Sequence, residues 1–175
     1  MNREDAFCFE LQLAMGYSSE FDEWLNTRLM KEDPLSSMVL DLAWCGSDIE
    51  KVISILRQYR MEEPVDEASV CNRMRLFLKN AYYSKQLNKV QVTTAMYAIA
   101  SHVGDPGDFD TKVWGSMFYF DEYYSLAEEG IITWEKFDSV FYDYLDNGIP
   151  CDFKKIWASN KKPILLESIK QFFKK

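Results

Sequence analysis

The stretch Asp33-Pro-Leu-Ser-Ser-Met-Val-Leu-Asp-Leu-Ala-Trp-Cys-Gly46-Ser-Asp-Ile-Glu50-Lys-Val-Ile-Ser-Ile-Leu56 decides the fold class of this chain. Leu35, Met38, Val39 and Leu42 recur at the three-to-four spacing that lines one face of a helix. Asp33 before Pro34 has the chemistry of an N-cap and a first helical residue, where the missing proline N–H costs no hydrogen bond. Gly46 is a helix stop. Ser47 and Glu50 stand at capping-box spacing, and Ile49, Val52, Ile53 and Leu56 form a second apolar stripe. The spacing predicts two antiparallel helices over 34–60, joined by a tight glycine turn and closed by Pro64.

The same signals recur outward from this unit. A short apolar-rich helix over 3–15 is broken at Gly16, and a helix over 19–31 carries Glu20, Asp22 and Glu23 in its first turn, where the helix dipole favours acids. Residues 66–83 set Val70, Met74, Phe77, Leu78 and Ala81 on one side and Arg73, Arg75 and Lys79 on the other. Further helices are expected over 89–102, 111–129, 134–146 (capped by Thr133), 152–159 and 163–173. The run Lys89-Val-Gln-Val-Thr-Thr94 also alternates as a strand does, so a strand is the alternative there. Gly104-Asp-Pro-Gly-Asp-Phe-Asp110 is loop. The expected fold is all-α: an irregular bundle of eight or nine short to medium helices in one domain, 1–175. Stacked helix pairs are a variant, because 34–60 and 111–147 both read as helix, glycine turn, capped helix.

The chain has 175 residues, 47% hydrophobic and 27% charged, which is a globular composition. Its formal net charge is −8, unevenly spread: residues 1–150 hold 26 acids against 13 Lys and Arg, and residues 151–175 hold seven Lys against two acids. Such a body repels phosphate backbones, so no direct nucleic-acid binding is expected of it; it attracts a cationic protein and also favours solubility. The basic end is expected to offset the acidic body. Cys8, Cys45, Cys71 and Cys151 have no paired-ligand spacing and read as free thiols of a reducing compartment. No signal-peptide pattern or long apolar run is present, so no membrane contact and a cytoplasmic location are expected.

Catalytic chemistry is scarce. Imidazole-based metal sites need more than the one histidine, His102, which is better explained by its place at a helix C-terminus. Asp105, Asp108 and Asp110 are close enough to hold a hard cation, but they miss the EF-hand spacing, and Asp is also an ordinary loop residue. The glycines fall singly at helix ends apart from Gly104 and Gly107, which leaves no phosphate-cradling loop. Neither an enzyme nor a cofactor is expected.

What stands out is Met117-Phe-Tyr-Phe-Asp-Glu-Tyr-Tyr124, echoed by Phe141-Tyr-Asp-Tyr-Leu-Asp146. On a helix Phe118, Asp121, Glu122 and Ser125 share one side, and Tyr119, Tyr123 and Leu126 another. One side should line the core. The other should present tyrosine rings and carboxylates, a surface suited to Arg and Lys, although tyrosines packed in a core with solvated acids would read the same. The candidate contact residues are Tyr119, Asp121, Glu122, Tyr123, Tyr124, Asp143 and Asp146, with Asp105, Asp108 and Asp110.

With its one histidine and the run Phe118-Tyr-Phe-Asp-Glu-Tyr-Tyr124, this acidic helical chain resembles the immunity proteins of bacterial contact-dependent and polymorphic toxin systems. The resemblance is one of overall character along the whole chain and carries no residue role. It implies a cytosolic inhibitor that binds over the active site of a basic toxin domain, of nuclease type. Two alternatives stay open: a small enzyme with a carboxylate or metal site at Asp105–Asp110, and a helical adaptor.

Overall fold

The computed structural model describes residues 1–104 and 113–151, and all of their regular structure is helical. Among these residues run α1 (Arg3–Ala14), α2 (Ser19–Lys31), α3 (Ser37–Trp44), α4 (Ile49–Met61), α5 (Glu67–Tyr83), α6 (Lys89–Val103), α7 (Gly115–Glu128) and α8 (Trp134–Asn147). The helices expected over 152–159 and 163–173 lie outside the described residues.

The organising element is α1. Its residues 6–13 are all buried, Glu10 and Gln12 included, as befits a helix enclosed on every side. Phe7, Cys8 and Leu11 enter one cluster with Val70, Met74 and Leu78 of α5, Met96 and Ile99 of α6, Phe120 and Tyr123 of α7, and Phe137, Phe141 and Leu145 of α8. Ala6, Phe9 and Leu13 enter a second with Phe21 of α2, Leu42 of α3, and Val52, Ile53 and Leu56 of α4. Each such large apolar side chain contributes about 2 kcal/mol of transfer free energy. Helix pairing follows: α4 lies along α1, α3 against α2, α6 along α7, and α8 against α5 and α7.

Local signals set most boundaries. Asp66 caps α5 through the Ala68 and Ser69 amides, and Thr133 caps α8 through the Lys136 amide. The strand alternative for 89–94 is overruled. Asn88 and Gln91 form a reciprocal capping box, and Val92, Met96, Ile99 and Ala100 enter the core at helical spacing.

Three boundaries depart from expectation: α7 begins at Gly115, after a turn at 113–114, instead of at 111, and two others lie around α3 and α4. The third helix begins at Ser37 instead of Pro34, with Ser36 as N-cap. Since α2 runs to Lys31 and packs on α3, residues 32–36 are taken up in reversing the chain; the Asp33–Pro34 peptide within them is cis. The Ser47–Glu50 capping box is replaced by Asp48, whose carboxylate accepts from the Lys51 amide at 3.1 Å. Gly46 turns the chain with φ +57°, a conformation that favours glycine, and Ser47 is spent in the connection. Although this turn joins α3 to α4, each helix packs chiefly elsewhere, α3 on α2 and α4 on α1.

Candidate functional site

On α7, Met117, Phe120, Tyr123 and Ala127 face the core between α6 and α8. Tyr123 is therefore misplaced among the candidate contact residues. It is fully buried, its ring centroid 5.6 Å from that of Phe137, because it falls three residues after the core residue Phe120. The outward side carries Phe118, Asp121, Glu122 and Ser125, the grouping that the helical period predicts.

Neighbouring α6 completes this surface. Thr94 donates its hydroxyl to Asp121 Oδ1 at 3.2 Å, and the Tyr97 ring lies 5.2 Å from that of Phe118. Phe118 in turn meets Tyr119 edge-on at 5.3 Å. Glu122 is exposed, and Tyr119 and Asp121 are half-buried. Tyr124 is turned toward α8, edge-on to Trp134 at 5.2 Å and to Phe137 at 5.6 Å. Thr94 and Tyr97 carried no signal in the sequence; only the packing of α6 along α7 brings them here.

The α8 acids behave differently from each other. Asp143 is exposed. Asp146 already has partners, Lys79 Nζ at 3.0 Å and the Tyr83 hydroxyl at 2.9 Å, and the Lys79 hydrogen bond holds its carboxyl below the usual range. The candidate residues thus fall into an α6/α7 group and an α5/α8 group. Asp105, Asp108 and Asp110 lie outside the described residues.

The cations of the body are largely committed. The basic side expected on α5 is spent internally: Arg73 pairs with Asp5, Arg75 donates to the Leu145 carbonyl and to Asn72, and Lys79 pairs with Asp146. Arg3 pairs with Glu62, and Lys89 with Asp138. By contrast Glu122, Glu128, Glu129, Glu135 and Asp143 are exposed and form no ion pair with any described residue. The α7/α8 surface is thus rich in carboxylates that pair with no cation among the described residues.

A second constellation lies inside the molecule. The Glu10 carboxylate has no exposure and accepts from Arg57 Nε at 2.8 Å, from Arg60 Nε, and lies 3.0 Å from His102 Nε2. Burial alone would raise its pKa, but hydrogen bonds from His102, Arg60 and Arg57 outweigh burial and hold it at about 2. His102 is therefore more than a dipole partner at the end of α6, since it links α6 to α1. The group is a satisfied ion cluster that ties α1 to α4 and α6. The available signal was a carboxylate at position 10 inside an apolar run, which requires partners from elsewhere in the chain.

The tryptophans divide: Trp114 is core, whereas Trp44 is 78% and Trp134 41% exposed. Cys8, Cys45 and Cys71 are buried free thiols. No helix among the described residues is long and apolar enough to cross a membrane. No family model, curated protein or solved structure matches the chain.

Proposed function

We propose that this chain is a binding protein that neutralises a basic partner: an immunity protein that covers the active site of a cationic toxin domain of nuclease type, in the cytosol. The observation that carries this reading is the outer side of α7. There exposed Glu122 stands beside Asp121, flanked by Tyr97, Phe118 and Tyr119, with no cation of the described residues paired to either acid.

The physics runs in two stages. Carboxylates on α7 and α8 that pair with no described cation raise the encounter rate with a positively charged domain. At contact, tyrosine rings supply rigid area and cation–π faces for Arg and Lys, while the acids pair with them. A nuclease site is lined with cations for its phosphate substrate, so a surface of this kind competes for the same groups.

The test is affinity capture by the tagged chain in its native host, followed by activity assay of the captured protein. A basic protein whose nuclease activity falls on binding supports the reading. Asp121→Lys with Glu122→Lys should then weaken the complex at least about tenfold and flatten its salt dependence, with the far-ultraviolet circular dichroism of the free protein unchanged. Capture of acidic proteins alone, or an affinity indifferent to the double reversal, overturns it.

A further inference from the structure

A hollow of about 720 Å³ opens between α1, α2 and α5, lined by Phe9, Glu20, Glu23, Trp24, Glu32 and Asp33 among others. Beside it lies a smaller pocket of about 210 Å³ with Cys8, Gln12, Glu20, Arg73, Phe77 and Asn80 in its wall. Glu20 and Arg73 line both, so they stand at the junction.

Three features give this junction a chemical preference. The first is a buried acceptor without a donor. Gln12 is 3% exposed, and its Oε1 accepts from no described residue, whereas its Nε2 donates to Glu20 Oε2 at 2.8 Å. A carboxylate only accepts, so the amide orientation is fixed and the oxygen is the unsatisfied end. The second is charge. Glu20, Glu23, Glu32 and Asp33 line the outer hollow against Arg28, Lys31 and Arg73, and Arg73 is already paired with Asp5 at 2.9 Å. The third is the aromatic floor of the outer hollow, where Trp24 stacks on Phe21 and already has Arg28 over its ring at 5.9 Å.

We propose that this cleft is a guanidinium-binding site. The planar fork of an arginine side chain donates in two directions at once, here to the Glu20 carboxylate and to the Gln12 carbonyl, and its stem lies along Trp24. Gln12 Oε1 is enclosed, so Glu20 turns toward the outer hollow as the ligand enters. Among the described residues only the Gln12 amide holds that exposed carboxylate. An alkylammonium lacks the fork, and a neutral urea group lacks the charge. The site is separate from α7 and does not depend on the function proposed above.

The experiment is a titration of the intact chain with N-acetyl-arginine amide, observed by the side-chain amide signal of Gln12 and the indole signal of Trp24. Saturable shifts in both are expected. Glu20→Gln, an exposed position where the fold tolerates the change, should weaken binding about tenfold, as loss of a charged hydrogen-bond partner does. Asp22→Asn removes the same charge from the same helix, at a residue that bonds Ser18 and lines neither hollow, and should leave the affinity unchanged. Absence of a saturable shift overturns the proposal. So do equal losses in Glu20→Gln and Asp22→Asn, which would mean diffuse attraction, or equal binding of the citrulline amide. None of these outcomes bears on capture of a partner through α7.

Discussion

Glu10 shows how a single residue can be both costly and necessary. An ionised carboxylate with no exposure is tolerable only when its charge and lone pairs are answered, and Arg57, Arg60 and His102 answer them. Because its folded pKa of about 2 lies below the ordinary 4.5, its stabilisation is complete above about pH 4.5 and is lost as pH falls through about 2. Glu10→Gln keeps the shape of the side chain but leaves two guanidiniums facing a neutral amide. The expected cost at pH 7 is about 3 kcal/mol, the usual penalty for breaking a buried pair. Urea midpoints of the two proteins should therefore differ clearly at pH 7 and converge toward pH 2. Equal midpoints at pH 7 would show that the cluster contributes no net stability.

At the level of single helices, the start of α6 is held by one reciprocal pair: the Gln91 amide donates to Asn88 Oδ1 at 2.9 Å, and the Asn88 amide donates to Gln91 Oε1 at 2.9 Å. Asn88→Ala should lower stability by about 1 kcal/mol and speed hydrogen exchange at the first-turn amides of α6. Unchanged exchange there would mean that packing alone fixes the start. Capping and the spacing of apolar residues are both local, which is why the existence and type of all eight described helices could be read along the chain, although α2, α3 and α7 have no side-chain cap. Where two local signals competed, the choice belonged to packing. Asp33-Pro34 looked like a helix start, yet the reversal from α2 to α3 consumed it. Lys89–Thr94 reads as helix with a strand as the alternative, and burial of Val92 and Met96 at helical spacing overrules the strand. The candidate site was legible in the same measure. The outward grouping of Phe118, Asp121 and Glu122 follows from helical period. That Tyr123 belongs to the core and that Tyr97 joins the surface follows only from where α6 and α8 lie. The Glu10 cluster joins residues 47, 50 and 92 positions apart, beyond the reach of any local pattern.

For the molecule as a whole, the decisive fact is that both core clusters share one helix. Phe7 and Phe9 are two residues apart on α1, yet Phe7 packs on Trp114 in the larger cluster, and Phe9 packs on Phe21 and Trp24 in the smaller. A helix cannot stay folded against one cluster while leaving the other, because its backbone is common to both. The expectation is a single cooperative transition in which damage to either cluster is felt by the whole. Phe7→Ala and Phe9→Ala should each cost about 3 kcal/mol or more, the range for emptying a buried aromatic site. Each should also raise opening rates in α4 and α8 together when amide exchange is followed under native conditions. The alternative has a distinct signature. If Phe9→Ala released the amides of α2, α3 and α4 while those of α5 to α8 kept their protection, the two clusters would be separate folding units, and α1 would belong to only one of them.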